Sequence, residues 1–265
     1  YDSKLNAMRD ALNLSRLMSY KAALAGLPYG GAKGVIILPP NLKSPERRNL
    51  IREYAKRVNY MGGHFVTGAD MGIRGADLKI MRETSQFMEG VNSQPVKFTA
   101  MGLFMAMEIA LEEVYGNSDL SSRTFAIQGV GKIGGALLEL IYRQAKKIYI
   151  ADTDSERVAE IKRRYPKVEA VTPMQIYRQK VDVFSPCAQG NSLTTKTISR
   201  IKAPIILGGA NNQLESRAVG ELLHKLGILY APDYVVNAGG IISVVDQYEN
   251  KRFSENRIEK RLNNI

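Results

Sequence analysis

Hydrophobic positions in the first half of the chain alternate between helical spacing and short apolar runs. From Ser3 to Leu24 they fall close to helical spacing, and Asp2 or Ser3 can cap this helix while Gly26 can end it. The run Gly34 to Leu38, closed by two prolines, is typical of a buried strand. Three further elements are predicted: a helix that starts at Ser44 and Pro45 and stops at Gly62 and Gly63, a strand from His64 to Thr67, and a helix from Thr99 to Tyr115 that ends at Gly116.

After Gly116 the pattern becomes a regular alternation of short β-rich runs and amphipathic segments. Short apolar strands separated by helices predict a parallel, doubly wound sheet. We therefore expect an α/β protein with two domains, the second of them doubly wound. The candidate strands are Thr124 to Gln128, Lys147 to Ala151, Val181 to Ser185, Pro204 to Leu207 and Gly227 to Tyr230.

The composition excludes several classes of protein. The chain has 265 residues, 45% of them apolar, and a single cysteine, Cys187. The apolar fraction excludes a disordered chain, and a single cysteine excludes a disulfide scaffold. One cysteine also offers no metal-ligand spacing and suits a reducing compartment, so we expect a cytoplasmic location and no metal. No apolar run approaches the ~20 residues that a membrane-spanning helix needs, and we expect no membrane partner. The formal charge of +11 is scattered along the chain without a nucleic-acid motif, so we expect no nucleic-acid partner.

The clearest motif is a glycine-rich turn of the form G-x-G-x-x-G directly after the strand Thr124 to Gln128. Its first glycine permits a tight turn, its second lets the backbone approach a pyrophosphate, and its third allows the following helix to pack closely. Asp152 stands 23 positions after Gly129, where an acid that binds the adenine ribose is expected. This acid favours NAD over NADP, although the basic residues Lys147 and Arg157 stand nearby. The motif comprises Gly129, Val130, Gly131, Lys132, Ile133 and Gly134.

Three polar residues in the first half are candidates for catalysis. Lys33 lies between the glycine pair Gly30 and Gly31 and the predicted strand, and burial at such a place would lower the pKa of its amine. The two glycines lack side chains, so a ligand could lie against their backbone. Lys21 could pair with a carboxylate, and Asp70 follows a predicted strand, where α/β proteins bind ligands. From spacing alone, Lys33 could equally be a surface lysine and Asp70 a cap.

Six motifs in order resemble those of the amino-acid dehydrogenases, and most closely the leucine, valine and phenylalanine branch of the glutamate dehydrogenase superfamily. The resemblance covers essentially the whole chain. The motifs are the glycine-rich turn at Gly129 together with Gly30-Gly31-Ala32-Lys33, Thr67-Gly68-Ala69-Asp70-Met71-Gly72, Ser185-Pro186-Cys187-Ala188, Gly209-Ala210-Asn211-Asn212-Gln213-Leu214 and the run from Ala231 to Gly240.

The resemblance implies NAD-dependent oxidative deamination of an L-amino acid to a 2-oxo acid and ammonia, a reversible reaction. By position, Lys21 would bind the substrate carboxylate, Lys33 would be the low-pKa amine that activates water, and Asp70 would exchange protons with the nitrogen. On the same grounds, Thr99, Cys187, Ala188 and Asn212 would contact the cofactor, and Asn237 would contact the substrate. The implied active site lies in the cleft between an N-terminal α/β substrate domain and a Rossmann domain.

The implied side-chain pocket is apolar and contains Gly68, Ile241 and Val244. It has no lysine or serine to pair with a glutamate side chain. Gly68 leaves room for an aromatic ring, whereas β-branched Ile241 narrows the opposite wall. A leucine-like substrate is therefore our first expectation, and phenylalanine or another aromatic amino acid is the second.

The resemblance also implies an organisation. Residues 1–115 would form the substrate domain, 116–247 the NAD domain, and 248–265 the start of a C-terminal segment that returns to the first domain. The family has further segments before Ser3 and after Ile265 and a longer stretch at Phe87 to Val96, so we expect this chain to be part of a longer enzyme, and a homo-oligomer. The alternative is a non-catalytic NAD-binding paralogue or fragment that acts through assembly.

Overall fold

The protein is described by a computed structural model that covers residues 3–39, 41–70, 72–89 and 94–265. The chain divides into two compact units: the first comprises Tyr1–Gln94 and Ile241–Arg261, and the second comprises Pro95–Gly240 and Leu262–Ile265. The sequence places a domain boundary after residue 115, at the end of a helix that here belongs wholly to the second unit. That boundary stays a prediction.

The second unit is built on a six-stranded parallel sheet with the strand order β5-β4-β3-β6-β7-β8. The central strand pairs on both sides, so that Ala126 faces Tyr149 on one neighbour and Phe184 on the other. The doubly wound sheet predicted from the alternating pattern is thus confirmed. The strands are β3 (Thr124–Gln128), β4 (Lys147–Ala151), β5 (Glu169–Ala170), β6 (Val183–Pro186), β7 (Ile205–Ile206) and β8 (Leu229–Tyr230).

Helices cover this sheet and bury its apolar side chains in two clusters. One cluster contains Leu103, Phe125 and Leu138, and the other contains Phe184 and Ile206, all of them at most 1% exposed. The strands are nearly continuous apolar runs because both faces of the sheet are buried. The helices of this unit are α4 (Pro95–Tyr115), α5 (Lys132–Ile141), α6 (Ser155–Arg164), α7 (Thr195–Ile198), α8 (Arg217–Lys225) and α9 (Asp233–Val236), with 3₁₀ turns at Leu120–Ser122 and Ile176–Arg178.

The first unit is mostly helical. Its two described strands are two residues long and pair in parallel, with Thr67 opposite Met88. A small core of Ile51, Ala55, Met81 and Met88 joins the helices to this ladder. The elements are α1 (Lys4–Leu24), α2 (Ser44–Tyr60), β1 (Thr67–Gly68), α3 (Gly75–Thr84), β2 (Met88–Glu89), α10 (Gly239–Asn250) and α11 (Glu255–Leu262). The division between the units falls within α10 and again before the last residue of α11.

The helix ends in the first unit follow the predicted capping residues. Ser3 caps α1, because its side chain accepts a hydrogen bond of 3.1 Å from the N–H of Asn6, whereas Asp2 lies outside the described residues. Gly26 adopts φ 62°, a left-handed conformation that ends the helix without strain. The helix α2 begins at Ser44 itself, so Pro45 is its second residue rather than its first.

Of the two strands predicted for the first unit, one does not form and the other is shorter than predicted. Residues Gly34 to Leu38 form no strand, and Ile37 and Leu38 are 40% and 41% exposed. An apolar run becomes a strand only where a neighbour supplies a hydrogen-bonded ladder, and among the described residues none pairs with this run. Its second proline, Pro40, lies outside the described residues. The strand predicted from His64 is confined to Thr67 and the residue after it.

The predicted helix Thr99 to Tyr115 is confirmed and starts four residues earlier, at Pro95. The strands β3 and β4 have the predicted limits. The strands β6 and β8 begin two residues later than predicted, β6 also ends one residue later, and β7 is one residue shorter at each end. The short edge strand β5 was not predicted, because Glu169 and Ala170 form no apolar run. Within the described part of the chain, no helix is both long and apolar enough to cross a membrane.

Candidate active site

The glycine-rich turn of the second unit follows β3 as predicted, and two of its three glycines are required by close packing. Gly129 has φ 89°, and a Cβ on it would lie 2.8 Å from Ala188. A Cβ on Gly134 would lie 1.9 Å from the carbonyl oxygen of Gly129. Any side chain at these two positions would therefore push the helix α5 or the loop at Ala188 away from the turn.

The middle of the turn is open. A Cβ on Gly131 would meet nothing within 4 Å, and Gly131 is the N-cap residue of α5, where it has no side chain to satisfy the helix N–H groups. Lys132 and Ile133 form the first turn of this helix, and Ile133 packs against Gly209. An open backbone at a helix N-terminus fits a pyrophosphate, so these residues suit the NAD that the sequence predicts.

Asp152 lies directly after β4 and faces the turn. Its Oδ2 accepts a hydrogen bond of 2.9 Å from the N–H of Val130, and its Oδ1 accepts one of 3.0 Å from the N–H of Asp154. Burial alone would raise the pKa of this carboxyl, but the two N–H groups and the nearby Arg157 hold the pKa below its ordinary value. The side chain is ionised at neutral pH and can accept hydrogen bonds from hydroxyl groups, as the predicted ribose role requires.

The loops after β6 and β7 lie at the same edge of the sheet. The backbone N–H of Cys187 donates to the carbonyl of Gln128 at 2.7 Å, and its Sγ accepts a hydrogen bond of 3.3 Å from the N–H of Gly209. Burial raises the pKa of this thiol, so Cys187 is a packed, protonated side chain rather than a nucleophile. Its neighbour Ala188 packs on Gly129.

A cluster of amides extends this edge. Asn212 adopts φ 55°, and its N–H donates to Oδ2 of the buried Asp233 at 2.7 Å. Asn237, 4% exposed, donates from Nδ2 to Oδ1 of Asn211 at 3.0 Å, while its own buried Oδ1 has no hydrogen-bond partner in the described part of the chain. A buried amide oxygen without a donor is suited to a ligand N–H group. Thr99, also predicted here, is 8% exposed in the first part of α4.

The catalytic candidates meet in the first unit. Lys33 donates from Nζ to Oδ2 of Asp70, and the two side chains are 25% and 49% exposed. Lys33 stands on an irregular segment, and Asp70 follows β1 and begins a turn in which its carbonyl accepts the N–H of Ile73 at 3.1 Å. An amine and a carboxylate in contact, both partly open to solvent, can pass protons to a bound ligand.

The segment that carries Lys33 is fixed on both sides. Before the lysine, the N–H of Gly31 donates to Oγ of Ser19 at 3.0 Å, and a Cβ on Gly31 would lie 2.0 Å from the backbone nitrogen of Ser19. After it, a Cβ on Gly34 would lie 2.2 Å from the hydroxyl of Tyr54. Gly31 therefore packs against the backbone of α1, whereas a Cβ on Gly30 would meet nothing within 4 Å. Of the two glycines, Gly30 is the one whose surroundings leave room for a ligand.

The remaining substrate candidates also lie in this unit. Lys21 is 7% exposed near the end of α1, and Ile241 and Val244 are partly buried and three residues apart on α10, which places them on one helix face. A Cβ on Gly68 would lie 2.9 Å from the carbonyl oxygen of Glu89. The vacant side of Gly68 thus faces the neighbouring strand and supplies no space for an aromatic ring.

Sequence reasoning missed the side chains that hold these groups in place. The hydroxyl of Tyr54, partly buried over Gly34, is 3.0 Å from Oγ1 of Thr67 at the start of the strand that leads to Asp70. Tyr54 thereby connects the segments of both catalytic candidates. Asp233 holds the loop of Asn212 in place by accepting a hydrogen bond from its backbone N–H. Asp233 lies within the motif from Ala231 to Gly240, which could have indicated it, whereas Tyr54 lies outside all six motifs and no sequence signal marks it.

The fold and this site define a dinucleotide-dependent oxidoreductase. Family models match two stretches: residues 2–87 match the Glu/Leu/Phe/Val dehydrogenase dimerisation domain, and residues 144–265 match the Glutamate/Leucine/Phenylalanine/Valine dehydrogenase model. Together with the identities to curated relatives given next, these matches show that the chain belongs to the Glu/Leu/Phe/Val dehydrogenase family. It is an NAD-dependent amino-acid dehydrogenase, as the sequence motifs predicted.

Several curated relatives are similar over nearly the whole chain. L-tryptophan dehydrogenase of Nostoc punctiforme is 37% identical, with 100% of this chain and 74% of the relative covered. Its crystal structure superposes with a TM-score of 0.80 over 100% of this chain and 76% of that one. Leucine dehydrogenase of Bacillus cereus is 35% identical over 100% of this chain and 73% of the relative, and phenylalanine dehydrogenase of Thermoactinomyces intermedius is 40% identical over 97% and 71%.

Proposed function

We propose that this protein catalyses the reversible oxidative deamination of an apolar L-amino acid to the 2-oxo acid and ammonia. The observation that carries the proposal is the contact between Lys33 and Asp70, an amine and a carboxylate that are both accessible. The curated relatives are named for leucine, phenylalanine and tryptophan, which are all apolar amino acids, and this supports the substrate class.

In the proposed reaction the first unit holds the amino acid. Lys21 pairs with the substrate carboxylate, and Asp70 accepts a proton from the substrate ammonium so that the nitrogen lone pair can assist loss of hydride from Cα. The acceptor for that hydride would be supplied by NAD, held by the second unit. Lys33, as the neutral amine, then takes a proton from the water that adds to the imino carbon. Asp70 returns a proton to the nitrogen, and as the carbon–nitrogen bond breaks and ammonia leaves, the hydroxyl proton passes to solvent and the 2-oxo acid is formed.

The second unit supplies orientation. Gly131, Lys132 and Ile133 present backbone N–H groups to the pyrophosphate, and Asp152 accepts hydrogen bonds from the adenine ribose. Thr99 and Asn212 contact the nicotinamide end. Asn237 offers its unpaired Oδ1 to the substrate amine. These assignments rest on the open backbone at Gly131 and on the amide cluster.

We place leucine-like substrates before aromatic ones. Ile241 and Val244 give an apolar wall, and the vacant side of Gly68 faces Glu89 rather than a ligand, which removes the strongest argument for an aromatic ring. An apolar pocket discriminates by volume, and one methylene changes the transition-state free energy by only ~1 to 3 kcal/mol. We therefore expect several apolar amino acids to be turned over.

The proposal is tested by the near-ultraviolet absorbance of NADH with L-leucine, L-valine, L-phenylalanine, L-tryptophan and L-glutamate as substrates. We expect the highest kcat/KM with L-leucine and negligible turnover of L-glutamate. Bound NAD with no reduction by any amino acid would overturn the enzyme proposal and favour a non-catalytic binding protein.

The role of Lys33 is tested by Lys33→Ala. Because general acid–base groups contribute on the order of 10² to 10⁴ in rate, we expect kcat to fall by about that factor while NAD still binds. The matched control is Lys56→Ala in the same unit, where the lysine is exposed and pairs with Glu53 at 2.7 Å. Activity of Lys33→Ala equal to that of the control would remove Lys33 from the mechanism.

We also propose that the protein is a cytoplasmic homo-oligomer. The match of residues 2–87 to a dimerisation domain supports self-association, and the single cysteine suits a reducing compartment. Light scattering after size-exclusion chromatography is expected to give a mass of at least twice the chain mass. A mass equal to 29.4 kDa at micromolar concentration would contradict the assembly.

A further inference from the structure

Three charged side chains lie together where β4 passes into α6. Asp152 follows the strand, Asp154 is the N-cap of the helix, and Arg157 is the third residue of that helix. The Oδ1 of Asp154 accepts the N–H of Arg157 at 3.0 Å, as an N-cap residue does. Asp152 is the predicted ribose acceptor, so this cluster surrounds the place where the adenine ribose would lie.

The guanidinium of Arg157 is shared between the two carboxylates. One of its terminal nitrogens is 3.4 Å from each oxygen of Asp152, and the other is 3.0 Å from Oδ2 of Asp154. The formal charge of the three groups is −1, from two carboxylates and one guanidinium. An arginine in the first turn of a helix opposes the helix dipole, and the two carboxylates compensate for this unfavourable position.

The other basic residue near the sequence motif is not part of this cluster. Lys147 begins β4, at the opposite end of the strand from Asp152, and its ammonium pairs with Glu169 at 2.8 Å. Of these two basic residues, Arg157 is the one that contacts the predicted ribose acceptor Asp152.

We propose that Asp154 restrains Arg157 and thereby prevents this site from accepting a nucleotide that carries a 2′-phosphate. The guanidinium fork is a good phosphate receptor, but here both of its terminal nitrogens are engaged by carboxylates. Without the charge of Asp154, the fork is free to turn toward a 2′-phosphate, and the cluster no longer has a net negative charge. Discrimination between NAD and NADP thus depends on the pair of Asp154 and Arg157 as well as on Asp152. This inference rests on the proposed placement of the cofactor.

The test uses nucleotide binding, so that turnover is not needed. Isothermal calorimetry measures the Kd of adenosine 5′-monophosphate and of adenosine 2′,5′-bisphosphate with the wild type and with Asp154→Asn. Asparagine is as good an N-cap residue as aspartate, so the helix is preserved while the charge is lost. Because exposed ion pairs contribute less than ~1 kcal/mol, we expect the bisphosphate Kd to fall roughly fivefold and the monophosphate Kd to change less than about twofold.

Two controls separate the proposed mechanism from a general effect of charge. Adding Arg157→Ala to Asp154→Asn is expected to abolish the gain, because the phosphate receptor is then missing. Glu221→Gln removes one acid from the same unit, on the exposed pair with Arg217 in α8, and is expected to leave both dissociation constants unchanged. Asp154→Ser, which also caps the helix, provides a second variant should the first fold poorly.

The outcomes are distinguishable. An unchanged bisphosphate Kd in a folded Asp154 variant would overturn the proposed restraint but leave the cofactor site intact. A gain of the same size in Glu221→Gln would also overturn it, since bulk charge would then be the cause. If the wild type failed to bind adenosine 5′-monophosphate at all, the cofactor placement would be wrong and this inference would fall with it.

Discussion

The two compact units carry different chemistry on different kinds of backbone. In the second unit, the cofactor candidates stand at the ends of regular strands and at the start of a helix, supported by two apolar clusters on a six-stranded sheet. In the first unit, Lys33 stands on an irregular segment, and the sheet has two short described strands. The predicted dinucleotide site thus rests on regular geometry, whereas the proposed catalytic pair depends on a few local contacts.

The largest effect that we expect concerns the core beneath the predicted cofactor site. Phe184 is 1% exposed in β6, and its ring lies 5.4 Å from that of Tyr177. Phe184→Ala removes the ring and leaves a cavity in a core that cannot collapse fully, so the free energy of unfolding should fall by about 3 to 5 kcal/mol. Urea unfolding followed by circular dichroism measures this loss.

Met174→Ala in the same unit is the control for Phe184→Ala. The Met174 side chain is 56% exposed, so we expect a change within about 0.5 kcal/mol. A loss below about 1 kcal/mol in Phe184→Ala would show that the sheet is not the rigid support that distinguishes the second unit.

The next effect concerns the first unit, where one buried ion pair stabilises the region after Asp70. Asp77 is 3% exposed, and its Oδ1 accepts a hydrogen bond of 3.1 Å from Nε of Arg47. Arg47 also donates to the carbonyl of Gly72 at 2.9 Å. Arg47→Met leaves a buried carboxylate without its partner, and we expect a loss of about 3 kcal/mol at neutral pH.

The pH dependence of this loss has a definite sign. The hydrogen bond from Arg47 holds the pKa of Asp77 below its ordinary value, so the stabilisation is fully present above the unfolded-state pKa of about 3.9 and is lost as the pH falls through the folded-state pKa. The difference in stability between wild type and Arg47→Met should therefore shrink below about pH 4. The control Lys56→Met, on an exposed pair, should cost less than about 1 kcal/mol at any pH. A difference that grew on acidification would contradict the assigned ionisation of Asp77.

The sequence predicts the second unit well because its signals are local. Periodicity places β3 and β4 at their observed limits, and the turn at Gly129 follows from its position after a strand. Gly129 and Gly134 are required because the turn and the helix pack closely at these two positions, which are fixed positions of the βαβ dinucleotide motif.

The first unit is predicted less well because its structure depends on contacts between distant residues. The apolar run after Lys33 looks like a strand, yet no described strand pairs with it, and nothing in its own composition reveals that. Similarly, the sequence suggests that Gly31 and Gly68 leave space for a ligand. In the fold, the position of a side chain on Gly31 is occupied by the backbone of Ser19, and that on Gly68 by the backbone of Glu89. The sequence therefore does not distinguish a glycine that is required by packing, such as Gly31, from one with open space beside it, such as Gly30.

The smallest effect tests this last distinction with a matched pair of substitutions. A Cβ on Gly31 would lie 2.0 Å from the backbone of α1, whereas a Cβ on Gly30 would meet nothing within 4 Å. We expect Gly31→Ala to cost about 1 to 3 kcal/mol, because the segment must move away from the helix, and to lower kcat as Lys33 moves with it. Gly30→Ala should change stability by less than about 0.5 kcal/mol and should raise KM for the amino acid instead. Thermal unfolding and steady-state kinetics on both variants measure this contrast. Equal stability of the two variants would mean that the contact with α1 does not fix the lysine, and the catalytic pair would then need a support outside the contacts described for this unit.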